Sequence, residues 1–243
     1  MQLTIRLKCR EQQGLPLSYN YLVQGAIYNL LREDSDLSHH LHDVGYQLEN
    51  RKFKLFSFSS LRGEHSIQGK TIYFNKLLEL EIRSIDTEMI QTLAKSLLNK
   101  KVLQIGEGDF YINDFTISHN ELNHDAYRIR MLSPIVLHRT IDKKTIYLTP
   151  IEENFQTQLN HNLSKKYQAY YGKEMEGEIE LSPIYFKERN KVVTKYKEFY
   201  ITGWRGDYHL SGPSHLLNFL YQVGLGEKNS MGFGLFEIQE KEF

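Results

Sequence analysis

Apolar and polar residues alternate along several short segments of the first half of the chain, and this period of two predicts β-strands. Residues 14–16, Gly-Leu-Pro, break the chain between the first strand and the first helix. The Gly-x-Gly at 106–108 turns one strand into the next. The predicted strands are 2–8, 53–58, 102–105 and 110–117, and residues 71–74 and 77–83 form a hairpin or one bent strand.

Apolar residues recur at every third or fourth position in two other segments, and this spacing predicts amphipathic helices. Ser18 caps the first helix, which runs to about Leu31, and Asp86 caps the second, which runs to about Leu98. A short histidine-rich helix is predicted over residues 37–42. The first half therefore runs strand, helix, strands, helix, strand.

The second half also alternates between segments with the strand period of two and segments with the helical spacing of three or four residues. Thr149-Pro150-Ile151-Glu152 is a capping box with proline at the first helical position, and apolar residues at every fourth position carry the helix to about Tyr171. Another helix starts at residues 211–213 and ends at Gly224, where a left-handed residue is expected. The predicted strands are 127–131 continuing through 135–137, then 145–148, a hairpin of 178–186 and 192–204 turned at 187–191, and 235–238.

Both halves thus follow the order strand, helix, two strands, helix, strand, which is the ferredoxin-like β-α-β-β-α-β unit. Sheets of this kind also build the RNA-reading RRM modules. The polar segment 119–125 separates the two halves. The sequence therefore predicts an α+β fold of two tandem ferredoxin-like domains, 1–122 and 123–243, with a glycine-rich loop near the C-terminus.

The glycine-rich loop, residues 224–234, places a Gly-x-Gly pair on each side of a short polar segment. Glycine lets a backbone or a phosphate come close, and a chain bent in this way directs consecutive N–H groups at an anion. The loop is not a Walker A motif, because no Gly-Lys-Ser/Thr ends it, and not a dinucleotide fingerprint, because a helix precedes it. A hairpin that only turns the chain is the alternative interpretation.

Composition narrows the class of protein. The 243 residues include 30 basic and 30 acidic side chains, which counts against binding polyanions over the whole surface but allows a local basic face. Cys9 is the single cysteine, so an intrachain disulfide and a cysteine-built zinc site are excluded, and a reducing cytoplasm fits best. No apolar run is long enough to span a bilayer, so no membrane partner is expected. His40-x-His42 has no nearby cysteine, and neither a metal site nor another cofactor is predicted.

Four stretches resemble one known family, in the same order along the chain: residues 21–29, residues 41–43 with 53–58, residues 132–136 and residues 224–234. Their sequences are YLVQGAIYN, LHD followed by FKLFSF, LSPIV and GLGEKNSMGFG. The chain resembles the sixth Cas family, the CRISPR-associated endoribonucleases of the RAMP superfamily that process repeat RNA. The glycine stretch is the most specific of the four.

The resemblance implies a fold, a substrate and a reaction. Family members have two tandem ferredoxin-like domains, bind the repeat of a long CRISPR transcript and cut it once per repeat without a metal. The 2′-hydroxyl attacks the neighbouring phosphate and leaves a 2′,3′-cyclic phosphate and a 5′-hydroxyl. Matched residue by residue, Tyr28, His42 and Lys54 correspond to a catalytic trio, with His40 as an alternative general acid or base.

Each member of this trio suits one part of the chemistry. An imidazole with an ordinary pKa of about 6.5 transfers protons at neutral pH, and whether His42 acts as acid or base is open. A phenol with an ordinary pKa of about 10 is a poor base, so Tyr28 is expected to position the 2′-hydroxyl. Lys54 would stabilise charge on the non-bridging oxygens. Taken alone, each residue also fits a purely structural role.

RNA contacts are expected from cationic side chains and from the glycine-rich loop. A non-catalytic RNA-binding subunit of a CRISPR effector complex is the alternative to an enzyme. Other Cas proteins and a second copy of the chain are left open as partners beside CRISPR repeat RNA. The candidate RNA-binding residues are Arg51, Lys52, Arg128, Arg130, Gly224, Gly226, Lys228, Asn229, Ser230, Gly232 and Gly234.

Overall fold

Antiparallel sheets organise each half of the chain in the computed structural model, which describes residues 1–32 and 45–241. The N-terminal strands are β1 (Gln2–Lys8), β2 (Gln13–Pro16), β3 (Tyr46–Leu48), β4 (Arg51–Phe53), β5 (Phe56–Phe58), β6 (Arg62–Gln68), β7 (Thr71–Ser84), β8 (Val102–Ile105) and β9 (Gly108–Ser118). The main sheet has the order β2-β7-β1-β9-β8, while β5 and β6 also pair with β7. The strands β3 and β4 form a separate hairpin.

Two helices share a core with this sheet, α1 (Asn20–Leu31) and α2 (Thr87–Leu98). The predicted cap of α2 is confirmed, because the Asp86 carboxylate accepts hydrogen bonds from the N–H groups of Glu88 and Met89 at 3.0 and 3.2 Å. The predicted cap of α1 is wrong. Tyr19, not Ser18, occupies the N-cap position, and no side chain caps the helix.

The predicted strand 53–58 is wrong, because β4 ends at Phe53 and β5 begins at Phe56. Leu55 lies between them with a φ of 23°, a value that regular strands do not adopt. Residues 14–16 belong to β2 instead of breaking the chain. The bent-strand alternative for 71–83 is confirmed, since β7 is one 14-residue strand with a positive φ at Lys76.

The C-terminal sheet has four strands in the order β13-β16-β10-β17, all antiparallel to their neighbours. Two hairpins project from this half, β11 with β12 and β14 with β15. The strands are β10 (Ala126–Met131), β11 (His138–Ile141), β12 (Lys144–Tyr147), β13 (Glu180–Pro183), β14 (Lys191–Tyr196), β15 (Phe199–Trp204), β16 (Asp207–Ser211) and β17 (Phe236–Lys241). The helices are α3 (Glu153–Tyr171) and α4 (Ser214–Val223).

Three C-terminal predictions are wrong in position. The strand predicted to continue through 135–137 ends at Met131, and Ile135 makes an isolated bridge with Trp204. The predicted hairpin turn at 187–191 contains a short 3-10 helix, and the hairpin of β14 and β15 turns instead after Tyr196, which pairs with Phe199. Helix α3 begins at Glu153, after the predicted capping box. Half of that box forms, because the Glu152 carboxylate accepts the N–H of Thr149 at 2.9 Å.

Polar contacts join the two halves directly. The Arg83 side chain is buried and donates to the carbonyl oxygens of Tyr221 and Phe236 at 3.3 and 2.7 Å. Its guanidinium carbon lies 3.6 Å from the centroid of the Tyr221 ring. Arg205 donates to the Ser60 hydroxyl at 2.8 Å. Among the helices of the described residues, none is both long enough and apolar enough to cross a membrane.

Candidate functional site

A cleft of about 660 Å³ opens between the two halves of the molecule. The segment joining β4 to β5 forms one wall, and β11, α3 and the glycine-rich loop form the others. Among the described residues that line the cleft, the acidic one is Glu227, and its carboxylate contacts His138 Nδ1. A chain with no net charge therefore carries a locally basic cleft. The cationic lining side chains are Arg51, Lys52, Lys54, Arg139, Lys166 and Lys228.

Lys54 lines this cleft and contacts Tyr28, so two members of the trio that the family resemblance implies lie side by side. Lys54 Nζ donates to Tyr28 Oη at 3.0 Å and lies 5.1 Å from the centroid of the Tyr28 ring. The ring of Tyr28 packs edge-on against Phe56, with 6.1 Å between the centroids. The two residues come from α1 and from the segment between β4 and β5, so only the folded chain brings them together.

The backbone around Leu55 explains why Lys54 reaches Tyr28. The side chain of Leu55 is buried in the C-terminal core, and that of Phe56 is buried in the N-terminal core. Consecutive residues thus enter two different cores, and the positive φ of Leu55 makes this change of direction possible. Lys54, just before the bend, is left at the wall of the cleft.

The environment of Tyr28 keeps its hydroxyl protonated. Burial raises the pKa of Tyr28, and the neighbouring Tyr196 raises it further. At neutral pH Tyr28 is therefore a hydrogen-bonding phenol and not a phenolate base. The predicted proton-transfer residues, His42 and its alternative His40, lie outside the described residues, as does the predicted helix 37–42.

The glycine-rich loop is shaped by close packing. Gly232 and Gly234 have φ angles of 84° and 78°. A Cβ at Gly234 would lie 2.0 Å from the Leu225 carbonyl oxygen, and a Cβ at Gly232 would lie 2.5 Å from the ring of Phe58. These two positions require glycine both for their backbone angles and for their space. The predicted end of α4 at Gly224 is confirmed, and its φ of 84° is positive as expected, but its ψ of 154° lies outside the left-handed helical region.

Most of the loop's N–H groups donate to the protein itself. The N–H groups of Leu225, Glu227 and Gly234, for example, donate to carbonyl oxygens. The backbone N–H groups of Lys228, Asn229 and Ser230 have no acceptor among residues 1–32 and 45–241, and all three residues line the cleft. These are the consecutive N–H groups of the loop without a backbone acceptor in the described part of the chain, those of Gly226 and Phe233 standing singly, and their contact with an anion stays a prediction.

Helix α1 holds the loop through a row of polar side chains that the sequence analysis did not identify. Asn20 donates to the carbonyl oxygens of Met231 and Gly232 at 3.2 and 3.1 Å. Gln24, one turn later, donates to the carbonyl oxygen of Ser230 at 2.6 Å. Tyr28 follows at the same spacing of four, so the three side chains lie along one side of α1. The helix thereby connects the loop to the Tyr28–Lys54 pair.

The buried Lys166 is a second feature that the sequence analysis missed. It lies on α3 with 3% of its surface exposed and donates to the glycine-rich loop. Burial lowers its pKa to about 7, and the charge of Glu227 acts in the opposite direction. The available signal was its position three residues after Leu163 and next to Tyr167, both on the apolar stripe of α3.

Arg128 and Arg130 occupy a different surface from the cleft. Arg130 donates to both carboxylate oxygens of Asp207 at 2.8 and 3.1 Å, and Arg128 donates at 3.3 Å. These hydrogen bonds lower the pKa of Asp207, with that from Arg130 contributing most. Part of the positive charge on this face of the C-terminal sheet is therefore neutralised within the protein.

Two imidazoles that were not among the predicted site residues line the cleft, those of His138 and His161. Burial lowers the pKa of His161, and Lys165 and Arg51 lower it further. In the described ranges, no three His, Cys, Asp or Glu side chains are grouped in a way that would hold a metal ion.

Family models match nearly the whole chain. "CRISPR-associated protein Cas6, N-terminal" matches residues 14–116, and "CRISPR associated protein Cas6, C-terminal" matches residues 116–238. The chain is 28% identical to CRISPR-associated endoribonuclease Cas6 1 of Methanocaldococcus jannaschii, covering 97% of this chain and 91% of that protein. It is 26% identical to CRISPR-associated endoribonuclease Cas6 of Pyrococcus furiosus, covering 93% and 84%.

A solved structure described as CRISPR associated protein Cas6 superposes with a TM-score of 0.79 at 26% identity and covers 99% of both chains. The C-terminal family model alone spans half of the sequence, and the N-terminal model accounts for most of the rest. The resemblance carried by the glycine-rich loop and the Tyr28 and Lys54 segments is thereby confirmed: this chain belongs to the Cas6 family.

Proposed function

We propose that this protein is an endoribonuclease that binds the repeat RNA of a CRISPR transcript and cuts it without a metal ion. The 2′-hydroxyl of the nucleotide at the cut attacks the adjacent phosphate, giving a 2′,3′-cyclic phosphate and a 5′-hydroxyl. Membership of a family whose curated relatives are named endoribonucleases supports RNA cleavage. The contact between Tyr28 and Lys54, which lines the basic cleft, carries the assignment of the site.

In this mechanism Lys54 stabilises the negative charge that develops on the phosphate. Its ammonium group has three hydrogens, so it can bind a non-bridging oxygen while it remains hydrogen-bonded to Tyr28. The raised pKa of Tyr28 suits a phenol that donates to, or accepts from, the 2′-hydroxyl and fixes its direction.

Proton transfer is assigned to His42, with His40 as the alternative. The reaction needs one group to remove the 2′-proton and one to protonate the 5′-oxygen that leaves. An imidazole near its ordinary pKa of about 6.5 performs either step at neutral pH. Neither Tyr28, with its raised pKa, nor the ammonium of Lys54 is a suitable base, so a histidine supplies this function.

The two halves are proposed as two ferredoxin-like domains with a boundary near residues 122 and 123. In the C-terminal sheet, order β13-β16-β10-β17 puts the first strand between the third and the fourth, and α3 and α4 follow the first and third strands. In the N-terminal sheet, β1 likewise lies between β7 and β9, with α1 and α2 after β1 and β7. The shared order supports the repeat.

The cleft is proposed as the path of the RNA backbone. Arg51, Lys52 and Lys228 line it and would contact phosphates together with the backbone N–H groups of Asn229 and Ser230. Gly224, Gly226, Gly232 and Gly234 contribute by permitting the shape of the loop. Arg128 and Arg130 remain candidates on the adjoining sheet face, with their charge reduced by Asp207.

Three versions of one repeat RNA test this proposal: the natural RNA, the same RNA with chelator present, and RNA carrying a single 2′-deoxy nucleotide at the cut. We expect cleavage with and without chelator, and binding without cleavage of the deoxy RNA. His42→Ala and His40→Ala variants then identify the proton-transfer residue, since only the correct one loses cleavage at unchanged affinity. Cutting of the deoxy RNA at the same position would contradict the mechanism. Binding of every RNA without any cleavage would identify a non-catalytic subunit instead.

A further inference from the structure

The side chain of Lys166 ends inside the glycine-rich loop and not in solvent. Its Nζ lies 3.0 Å from the carbonyl oxygen of Gly224, 2.6 Å from that of Gly226 and 2.6 Å from Oδ1 of Asn229. Burying an ammonium group is strongly unfavourable unless its hydrogens are all satisfied. Here three acceptors match the three hydrogens of the ammonium form, so that form is fully hydrogen-bonded at this position.

Asn229 extends this arrangement across the loop. Its Nδ2 donates to the carbonyl oxygens of Leu225 and Phe233 at 2.9 and 3.1 Å. Lys166 and Asn229 therefore each donate to two carbonyl oxygens of the loop, four in total. Lys228 and Ser230 line the cleft.

We propose that Lys166 is a positioning residue for RNA binding, which holds the glycine-rich loop so that Lys228, Asn229 and Ser230 stay at the wall of the cleft. This inference rests on the proposed function, because the cleft must bind RNA for the loop's shape to matter. Lys166 is distinct from the Tyr28–Lys54 pair, since its three hydrogen-bond acceptors all belong to the loop. Its role is in affinity and not in the chemical step.

Lys166→Met tests the inference, because methionine preserves the length of the apolar stem and removes every donor. Two carbonyl oxygens and Asn229 Oδ1 are then left without a donor inside the protein, and the loop must rearrange to hydrate them. We expect the Kd for repeat RNA to rise about 10-fold or more, while kcat at saturating RNA stays within about 3-fold. The slope of log K against log salt should become shallower by about 0.7 for each phosphate that the rearranged loop no longer neutralises.

Leu159→Ala is the matched control, because Leu159 is a fully buried residue of the same helix that packs in the C-terminal core. It should lower stability while the Kd and salt slope of the folded fraction stay unchanged. Lys166→Gln retains two donor hydrogens and should weaken binding about 3-fold, which provides a second measurement if the methionine variant does not fold.

Two results would overturn the inference: variants at Lys166 that bind RNA as tightly as the parent with the same salt slope, or an equal loss of affinity in Leu159→Ala. Failure of the parent protein to bind repeat RNA would instead contradict the proposed function. The parent measurement therefore separates the two failures.

Discussion

Lys54 of the Tyr28–Lys54 pair lines the same cleft as the glycine-rich loop, but the pair and the loop are built in opposite ways. The pair joins two single side chains, through the hydrogen bond and ring contact of Lys54 with Tyr28 and the bend at Leu55. The loop is held by many contacts at once: Lys166 and Asn229 from inside, Asn20 and Gln24 from α1, and close packing at its glycines. Residues that react need access to substrate, whereas a loop that binds a backbone gains from being preorganised.

This difference implies that mutations in the two regions change different properties of the protein. A change at the pair should remove the chemical step and leave binding and folding nearly intact. A change in the loop should affect binding and stability together, because its hydrogen bonds are shared among many groups. Substitutions in each region separate the two cases.

The largest effect is expected from Lys54→Met. Removing one charged donor from a transition-state oxygen typically lowers kcat by about 100-fold to 1000-fold. Single-turnover cleavage of repeat RNA measures this decrease, and a binding assay should show a Kd within about 3-fold of the parent. Lys101→Met is the control, because Lys101 is exposed and does not line the cleft. If Lys54→Met weakened binding as much as it slowed cleavage, the separation between pair and loop would fail.

An intermediate effect is expected from Gly234→Ala. The new Cβ would lie 2.0 Å from the Leu225 carbonyl oxygen, and alanine is strained at a φ of 78°. Backbone strain of this kind costs about 1–3 kcal/mol, and displacement of the loop adds to it. Denaturant unfolding should show the lower stability, and the Kd for RNA should rise about 10-fold.

Gly172→Ala is the matched control for this substitution. Gly172 also has a left-handed φ, 68°, but a Cβ there would meet nothing within 4 Å. It ends α3, so the alanine should show the backbone strain without moving the loop. A Gly234→Ala variant as stable as Gly172→Ala, with parent affinity, would show that close packing does not set the loop's shape.

The smallest effect is expected from Arg130→Gln. Asp207 already binds the Arg130 guanidinium through two hydrogen bonds, so less of its charge is available to RNA. We expect less than a 3-fold rise in Kd, against about 10-fold for Arg139→Gln in the cleft. Binding at several salt concentrations compares the two. Equal decreases in affinity would place the sheet face in the RNA path together with the cleft.

The regular elements were predictable because their signals are local. Asp86 accepts from two N–H groups within its own first turn, and the apolar stripe of α3 repeats over 19 residues. The sequence did not predict strands β2, β3, β6, β11 and β16. Strand β6 is largely exposed and most of its residues are polar, so its sequence lacks the alternation of apolar and polar residues that predicts a strand.

The site was predictable only where the family resemblance reached it. Tyr28 and Lys54 carried that resemblance, and their meeting is observed. The bend at Leu55 gave no signal, since leucine seldom adopts a positive φ and tertiary packing imposes it here. Lys166 was overlooked because a lysine in a helix is usually solvated, and its acceptors lie 58 to 63 residues away in sequence.

The bend at Leu55 also makes the distance between Tyr28 and Lys54 depend on how the two halves of the molecule are oriented. Leu55 is fixed in one core and Phe56 in the other, so a rotation of either half about the other would pull on the peptide that joins them. Lys54 precedes Leu55 directly in the chain, whereas Tyr28 belongs to α1. We therefore expect a misalignment of the two halves to separate the Lys54 ammonium from the Tyr28 hydroxyl before either core unfolds. The proposed cleavage activity would then be lost while the chain is still folded.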